Sequence, residues 1–417
     1  MRALLFGVAP RAGAPTATTP TTVTDHPLLA ALDRTPMDLV ELPDPGYLRP
    51  DWVVTRPLLT GICGSDAKQV FMDWGDGGGD NPMRDFSSMP QVPGHEVVCE
   101  VVALGPEADG IDVGDRVVLN PWLSCVPRGV SPICPACDAG DLSLCWSFQT
   151  PPLAPGIHIG TSSDATGGWA NLMPAHPSML FPVPADIPDE VAVFADPFAV
   201  SLHSITRHPP VAGGKVLVYG AGALGSCAIA ILRALYPDVE VGVVARFGAQ
   251  ADLARALGAH EVFAHEPAVE LIEAAAAWSG GVLASHTGLP MAFPGGIDVV
   301  YDTISRRETL EVGVRLLKAH GTLVKAGVHG TTNWEYTPLY FKEITWVGSN
   351  AFGVEEVDGV RKHGIQQYLD LVQAGRVNLD GMLTHTFPLD DDWRDAFRVL
   401  ATQNGSGAIK VAFDQRA

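Results

Sequence analysis

Hydrophobic positions along the chain change their period at about residue 198 and again at about residue 351. Through residue 184 apolar residues come in short runs bounded by Gly and Pro: Met1–Val8, Trp52–Thr60, Val97–Leu104 and, after the Gly114-Asp115-Arg116 turn, Val117–Leu119. Runs of this length, with β-branched residues and turn residues at their edges, predict strands and a mainly β first part. Beyond residue 198 the pattern alternates. Strand-like Val216–Tyr219, helix-like Ala223–Leu235, strand-like Val239–Ala245 and helix-like Ala249–Leu257 are continued by Ile297–Tyr301, Thr309–Lys318 and Thr322–Ala326. Such alternation predicts a parallel sheet with helical crossovers. After residue 351 a helix over Val360–Ala374, a strand over His385–Phe387 and a last helix over Trp393–Thr402 are expected. Two stretches break the pattern and read as loops: the Thr/Pro/Ala-rich residues 9–30, and residues 71–90 with Gly75, Gly77, Gly78 and Gly79 among acidic residues.

A chain of 417 residues exceeds one ordinary core, so two domains are the default. Its apolar content of 47% and charged content of 18% are globular. The net charge of −20 argues against a nucleic-acid partner, which needs clustered Lys and Arg. No membrane span is expected, because the longest apolar run, Ala223–Leu235, is interrupted by Arg233. Four of the seven cysteines crowd into residues 125–145. The apolar N-terminus lacks a cleavage pattern, so a reducing, cytoplasmic setting is expected, and there such crowding means metal.

Two segments carry donors for a chemically active metal. Gly61-Ile62-Cys63-Gly64-Ser65-Asp66 offers the thiol of Cys63, and Pro93-Gly94-His95-Glu96 offers the imidazole of His95. Sulfur, nitrogen and nearby carboxylates suit zinc, and fewer than four protein donors leave a position for chemistry. The alternative for these two residues alone is a buried thiol and a solvated imidazole. Cys125, Cys134, Cys137 and Cys145 contain a Cys-x2-Cys step and predict a closed, tetrahedral, structural zinc site. Cys99 and Cys227 sit in apolar surroundings and read as core.

Gly220-Ala221-Gly222-Ala223-Leu224-Gly225 directly follows the strand Val216–Tyr219 and opens a helix. The glycines permit a tight turn, close approach of a pyrophosphate and helix–strand packing, and the helix start favours the negative charge. About twenty residues later, where an NAD site usually has Asp or Glu, stand Ala245 and Arg246. A planar cation without a competing carboxylate favours NADP(H), with NAD(H) the alternative. Gly327, after the strand Thr322–Ala326, is taken as a further cofactor contact.

In this order the motifs resemble the medium-chain dehydrogenase/reductase superfamily. The likeness is narrowest to its zinc-dependent alcohol and polyol dehydrogenases, the sorbitol and threonine dehydrogenase branch. Asp-Pro-Phe-Ala-Val-Ser-Leu-His at 196–203 and Gly-Ile-Asp-Val-Val-Tyr-Asp at 296–302 belong to the same likeness. The resemblance implies a GroES-like catalytic domain over residues 1–197, with a structural-zinc lobe at 125–145. A Rossmann domain over 198–350 is then inserted before a return to the catalytic domain over 351–417, with zinc and nicotinamide meeting in a cleft.

It further implies Cys63 and His95 as the first two ligands of the catalytic zinc. Val200 stands where many alcohol dehydrogenases have a third cysteine. Polyol dehydrogenases use the carboxylate that begins this segment, here Asp196, while Glu96 matches an alternative or exchanging ligand. The competing reading of Asp196 is an ordinary helix start before Pro197. Ser65 matches a proton-relaying hydroxyl. Lys68 stands where relatives often carry the histidine that finishes the relay; its alternative is a solvated lysine. Asp66 and His203 read as structural, and Trp74, Trp122, Phe148 and Trp169 are weighed as lining of the substrate mouth against core.

The expected activity is hydride transfer between NADP (alternatively NAD) and a secondary alcohol, polyol, sugar-like or amino alcohol and its carbonyl. Zinc acts on the substrate oxygen, and the subunits form a dimer or tetramer. Two rivals are a C=C or C=N reductase with mainly structural zinc, and a catalytically silent nucleotide-binding sensor.

Overall fold

The computed structural model describes residues 1–8, 26–73, 81–284, 288–328, 330 and 332–416. The chain forms two compact units. One comprises Met1–Trp74, Gly79–Asp196 and Leu383–Ala417, and the other holds Pro197–Met382.

In the first unit, apolar runs pair as a seven-stranded sheet. Its order is Leu383–Pro388, Lys410–Asp414, Val53–Gly61, Glu96–Leu104, Arg116–Leu119 and Leu180–Pro182, with Met173–Ala175 also on Val53–Gly61. All pairs are antiparallel except Leu383–Pro388 with Lys410–Asp414. Trp52, Cys99, Val101, Val117 and Leu119 fill one core beside this sheet. Trp169, Phe397 and Phe413 form another, their rings meeting edge-on at 5.5 and 5.6 Å from Trp169. Trp169, weighed above as mouth lining, is therefore fully buried core.

The second unit holds a six-stranded, all-parallel sheet. The strands run Glu261–Ala264, Glu240–Ala245, Lys215–Tyr219, Ile297–Asp302, Leu317–Lys325 and Thr345–Gly348 across it. The order reverses between Lys215–Tyr219 and Ile297–Asp302, so the C-terminal ends of these two strands flank a switch point, the usual place for a nucleotide. The helices Ala223–Leu235, Gly248–Ala256, Ala268–Ser279 and Arg307–Leu316 supply the crossovers.

Three loop and helix expectations need correction. Val360–His363 is not the first turn of a helix; it pairs antiparallel with Val354–Val357, and the helix starts at Gly364. Asp358 and Gly359 make the turn with φ of 52° and 77°, a backbone suited to a short hairpin. Within the loop expected over 9–30, Pro27–Leu32 is helical, with Ala31 and Leu32 buried; residues 9–25 lie outside the described residues. Within 71–90, a short helical turn covers Pro82–Phe86, where Asn81 Oδ1 accepts from the Met83 N–H at 3.0 Å. The glycine stretch and Trp74 lie outside the described residues. Among these, no helix is long and apolar enough to cross a membrane.

Candidate active site

Sheet register assembles the first unit's site. Antiparallel pairing sets Gly61 opposite Glu96, so the segment beyond Gly61, with Cys63, runs beside His95. On the other side Gly61 pairs with Ala412, and the Ile62 N–H donates to Val411 O at 2.9 Å, bringing Lys410 to the same place. Gly61 admits this crowding, because a Cβ there would sit 2.3 Å from Glu96 Oε2 and 2.8 Å from Lys410 Cε. Gly94 has φ of +94°, and a Cβ would lie 2.4 Å from Trp169 Cδ1. Glycine alone therefore fits between the core tryptophan and His95.

The ligand atoms of Cys63, His95 and Glu96 lie within 4.8 Å of one another, close enough to share one ion. His95 Nδ1 is 3.3 Å from Asp66 Oδ2, an ion-pair approach outside hydrogen-bond geometry, and a carboxylate beside the imidazole in this way suits a metal-binding histidine. Burial disfavours charge on both members. Their mutual attraction nevertheless holds Asp66 below, and His95 well above, its ordinary range.

Glu96 is ion-paired with Lys410, both almost wholly buried, and Lys410 Nζ also donates to Ile62 O at 3.1 Å. Asp196 stands outside the three-residue cluster. It lies in the first turn of the helix Ala195–Arg207, one residue inside its start, and makes no hydrogen bond among the described residues. Burial above all, with the nearby Glu96 and Asp66 charges, pushes its carboxyl up to about 7 against the pull of His95 and Lys410. A buried carboxylate without a bonded partner is a cation-binding group in waiting.

Ser65 and Lys68 follow on the helix Gly64–Val70 that Cys63 begins, both half-buried, and Ser65 makes no hydrogen bond among the described residues. Sequence reasoning missed His158. Its ring centroid lies 4.6 Å from that of His95 and 5.8 Å from Trp122. Burial, then the neighbouring His95, lowers its pKa to about 3, leaving it neutral. No motif surrounds His158, and only the fold brings it here. Trp122 and Phe148 stack nearby at 6.4 Å.

In the four-cysteine lobe no disulfide forms. The four sulfurs lie within 4.8 Å of one another, with Cys125–Cys145 at 3.6 Å and Cys134–Cys145 at 3.9 Å. Those separations match the edge of a zinc tetrahedron built on Zn–S bonds of about 2.3 Å. Backbone N–H groups of Cys134, Cys137, Trp146 and Ser147 point at the sulfurs, as thiolates require. Fully buried Arg128 clasps the lobe: its guanidinium donates to the carbonyls of Leu123, Thr150, Leu153, Ala154 and Gly156 at 2.9–3.1 Å.

In the second unit, Gly220 has φ of +101°, and a Cβ would meet Thr303 Oγ1 at 2.7 Å. A Cβ on Gly225 would lie 1.8 Å from Gly220 O, whereas Gly222 faces open space. Gly327 packs so tightly that a Cβ would meet the Ile304 backbone at 2.6 Å. No side chain caps the helix Ala223–Leu235, so its first turn, with Ala223 and Leu224, is the kind of helix start that suits a phosphate. Ala245 is buried at the end of its strand. Arg246 is exposed, lies 5.4 Å over the Phe247 ring and has no ion pair among the described residues. Away from the cradle, His203 is held by Glu355 at 2.6 Å, a structural role.

Residues 49–185 match the model of the alcohol dehydrogenase GroES-like domain, and residues 223–373 match that of the zinc-binding dehydrogenases. D-arabinitol dehydrogenase 1 of Uromyces fabae is 24% identical over 365 residues, covering 87% of this chain and 89% of that protein. L-threonine 3-dehydrogenase of Pyrococcus horikoshii is 26% identical over 368 residues, covering 87% and 90%. A zinc-binding dehydrogenase from Sinorhizobium meliloti 1021, solved bound to NADP, superposes with a TM-score of 0.67 at 26% identity, covering 91% of this chain and 95% of that one.

Proposed function

Because this chain belongs to the zinc-dependent medium-chain dehydrogenase/reductase family and is an oxidoreductase with a GroES-like and a Rossmann domain, we propose that it interconverts a polyhydroxy secondary alcohol and its ketone, using NADP(H). The observation that carries this reading is the convergence of Cys63, His95 and Glu96 within 4.8 Å at the ends of paired strands. We assign a catalytic zinc to Cys63 and His95 with Asp196 as the carboxylate ligand, since Lys410 already neutralises Glu96. Glu96 is the exchanging ligand. A second, structural zinc belongs to Cys125, Cys134, Cys137 and Cys145.

Zinc bound at the first site supplies Lewis acidity toward the substrate oxygen, and bound nicotinamide accepts or supplies the hydride. The chain's own residues do the rest. Ser65 takes the hydroxyl proton outward, with Lys68 as its next station. Asp66 fixes the His95 ring, Gly220, Gly222 and Gly225 cradle the pyrophosphate, and Arg246 meets the ribose 2′-phosphate. The polyol class is supported by the relative named for D-arabinitol, a sugar alcohol, and by polar side chains beside the proposed metal ligands. NADP is supported by Arg246, exposed and without an ion pair among the described residues, and by the NADP-bound neighbour.

A dimer or tetramer is proposed on the resemblance. Exposed Tyr336, Tyr340, Phe341 and Trp346 of the second unit support it, and light scattering checks it. The functional test is oxidation of a diol and sugar-alcohol panel with NADP and NAD, alongside zinc content per chain. Asp196→Asn is expected to lose one zinc and the activity, and Glu96→Gln to keep both zincs. Full NADP-dependent turnover by a folded Cys63→Ala protein would defeat the reading.

A further inference from the structure

The imidazole of His158 stands against that of His95, ring centroids 4.6 Å apart, with Trp122 at its edge and Phe148 beyond Trp122. Its Nδ1 is 2.6 Å from the Ile159 carbonyl, which can only accept, so Nδ1 carries the proton and Nε2 presents a lone pair. Among the described residues Nε2 has no partner, and the side chain is only partly buried.

The loop beneath it is fixed. The His158 N–H donates to Thr161 Oγ1 at 3.1 Å, and that hydroxyl donates back to His158 O at 2.7 Å. Leu123 N–H donates to Ile157 O at 3.1 Å, and Ile159 N–H to Pro121 O at 2.8 Å, tying the loop to the segment that carries Trp122. Behind these contacts, the Arg128 clasp on the Leu153, Ala154 and Gly156 carbonyls ties the same loop to the four-cysteine lobe. An acceptor held this rigidly beside a metal ligand recognises a hydroxyl donor and gives an alkyl group nothing.

We propose that His158 is a specificity-determining residue, its Nε2 accepting a hydrogen bond from a second substrate hydroxyl next to the reacting carbinol, so that vicinal diols and polyols are selected over monoalcohols. The inference rests on the site reading given above and names the side chain that enforces it.

The test uses holoenzyme loaded with zinc and NADP, and isothermal titration with pinacol, a vicinal diol whose tertiary carbinols have no hydrogen to give up. Its mono-deoxy analogue, lacking one hydroxyl, is the control. Wild type is expected to bind pinacol about tenfold tighter than the analogue, the scale of one well-formed hydrogen bond. His158→Phe should abolish that preference. His158→Gln, which retains an acceptor, should restore part of it, and zinc content should stay at the wild-type value in both. No preference in wild type, or the same preference in His158→Phe, overturns the proposal. Pinacol binds without turnover, so a failure of alcohol oxidation would strike the reaction reading and leave this one to its own result.

Discussion

Lys410 and Glu96 form a buried ion pair, although they are 314 residues apart in sequence; their strands, Lys410–Asp414 and Glu96–Leu104, flank Val53–Gly61 on its two sides. Burial opposes the Lys410 charge, yet Glu96 and Cys63 hold its pKa above the ordinary value. Removing one member of such a pair leaves an uncompensated buried charge, costing roughly 3–5 kcal/mol. Lys410→Met is therefore expected to lower the urea midpoint strongly, and Glu96→Gln added to it to recover much of the loss. Equal unfolding of Lys410→Met and wild type would show that the pair bears no load.

Arg246→Ala tests the cofactor assignment. A charge-assisted hydrogen bond to a phosphate contributes about 1.5–3 kcal/mol, so kcat/KM for NADP should fall by about tenfold to a hundredfold. For NAD it should stay within about threefold. Equal losses for both cofactors would mean that Arg246 acts on the fold and not on the phosphate.

Much of this molecule was legible in its sequence, and the unread parts share a cause. The tight strand-to-helix turn at Gly220–Gly225 was legible because such a turn is a local device, written in consecutive residues. That Cys63 meets His95, and that the four cysteines gather, was legible because candidate ligands sit in short motifs. Lys410 and His158 carry no such local signature; sheet register and loop packing alone bring them to the site. The Val354–Val357 and Val360–His363 hairpin was hidden because its second strand runs straight into a helix. The Asp358-Gly359 pair was the signal that could have found it. Trp169, weighed as mouth lining against core, is core, and Gly94 leaves its ring the room to pack there.

Lys342 gives the fold a predictable pH dependence. Its ammonium is buried and donates to Arg315 O at 2.9 Å and Leu317 O at 2.5 Å; burial, then Arg315, lowers its pKa from 10.5 to about 7. Between those values the unfolded chain binds a proton that the folded chain lacks, so this residue's contribution to stability rises with pH from about 7 to 10.5, by at most roughly 1.4 kcal/mol per unit. The unfolding free energy of wild type minus that of Lys342→Met should climb between pH 7 and about 9.5. A flat difference would contradict it.

Cys137 is the only partly exposed member of its cluster. Cys137→Ser should cost one zinc per chain and lower the Tm by roughly 5–15 °C, since the ion's binding energy is folding energy for the lobe. Per remaining folded molecule, turnover at low temperature should stay close to wild type. Loss of activity without loss of zinc would remove the division between structural and catalytic sites.

The most direct measurement is anomalous diffraction at the zinc edge on crystals of the cofactor-bound enzyme. Two peaks per chain are predicted, one inside the four-cysteine cage and one bonded to Cys63 Sγ and the His95 ring at about 2.3 and 2.1 Å. A single peak, confined to the cage, would contradict the central claim.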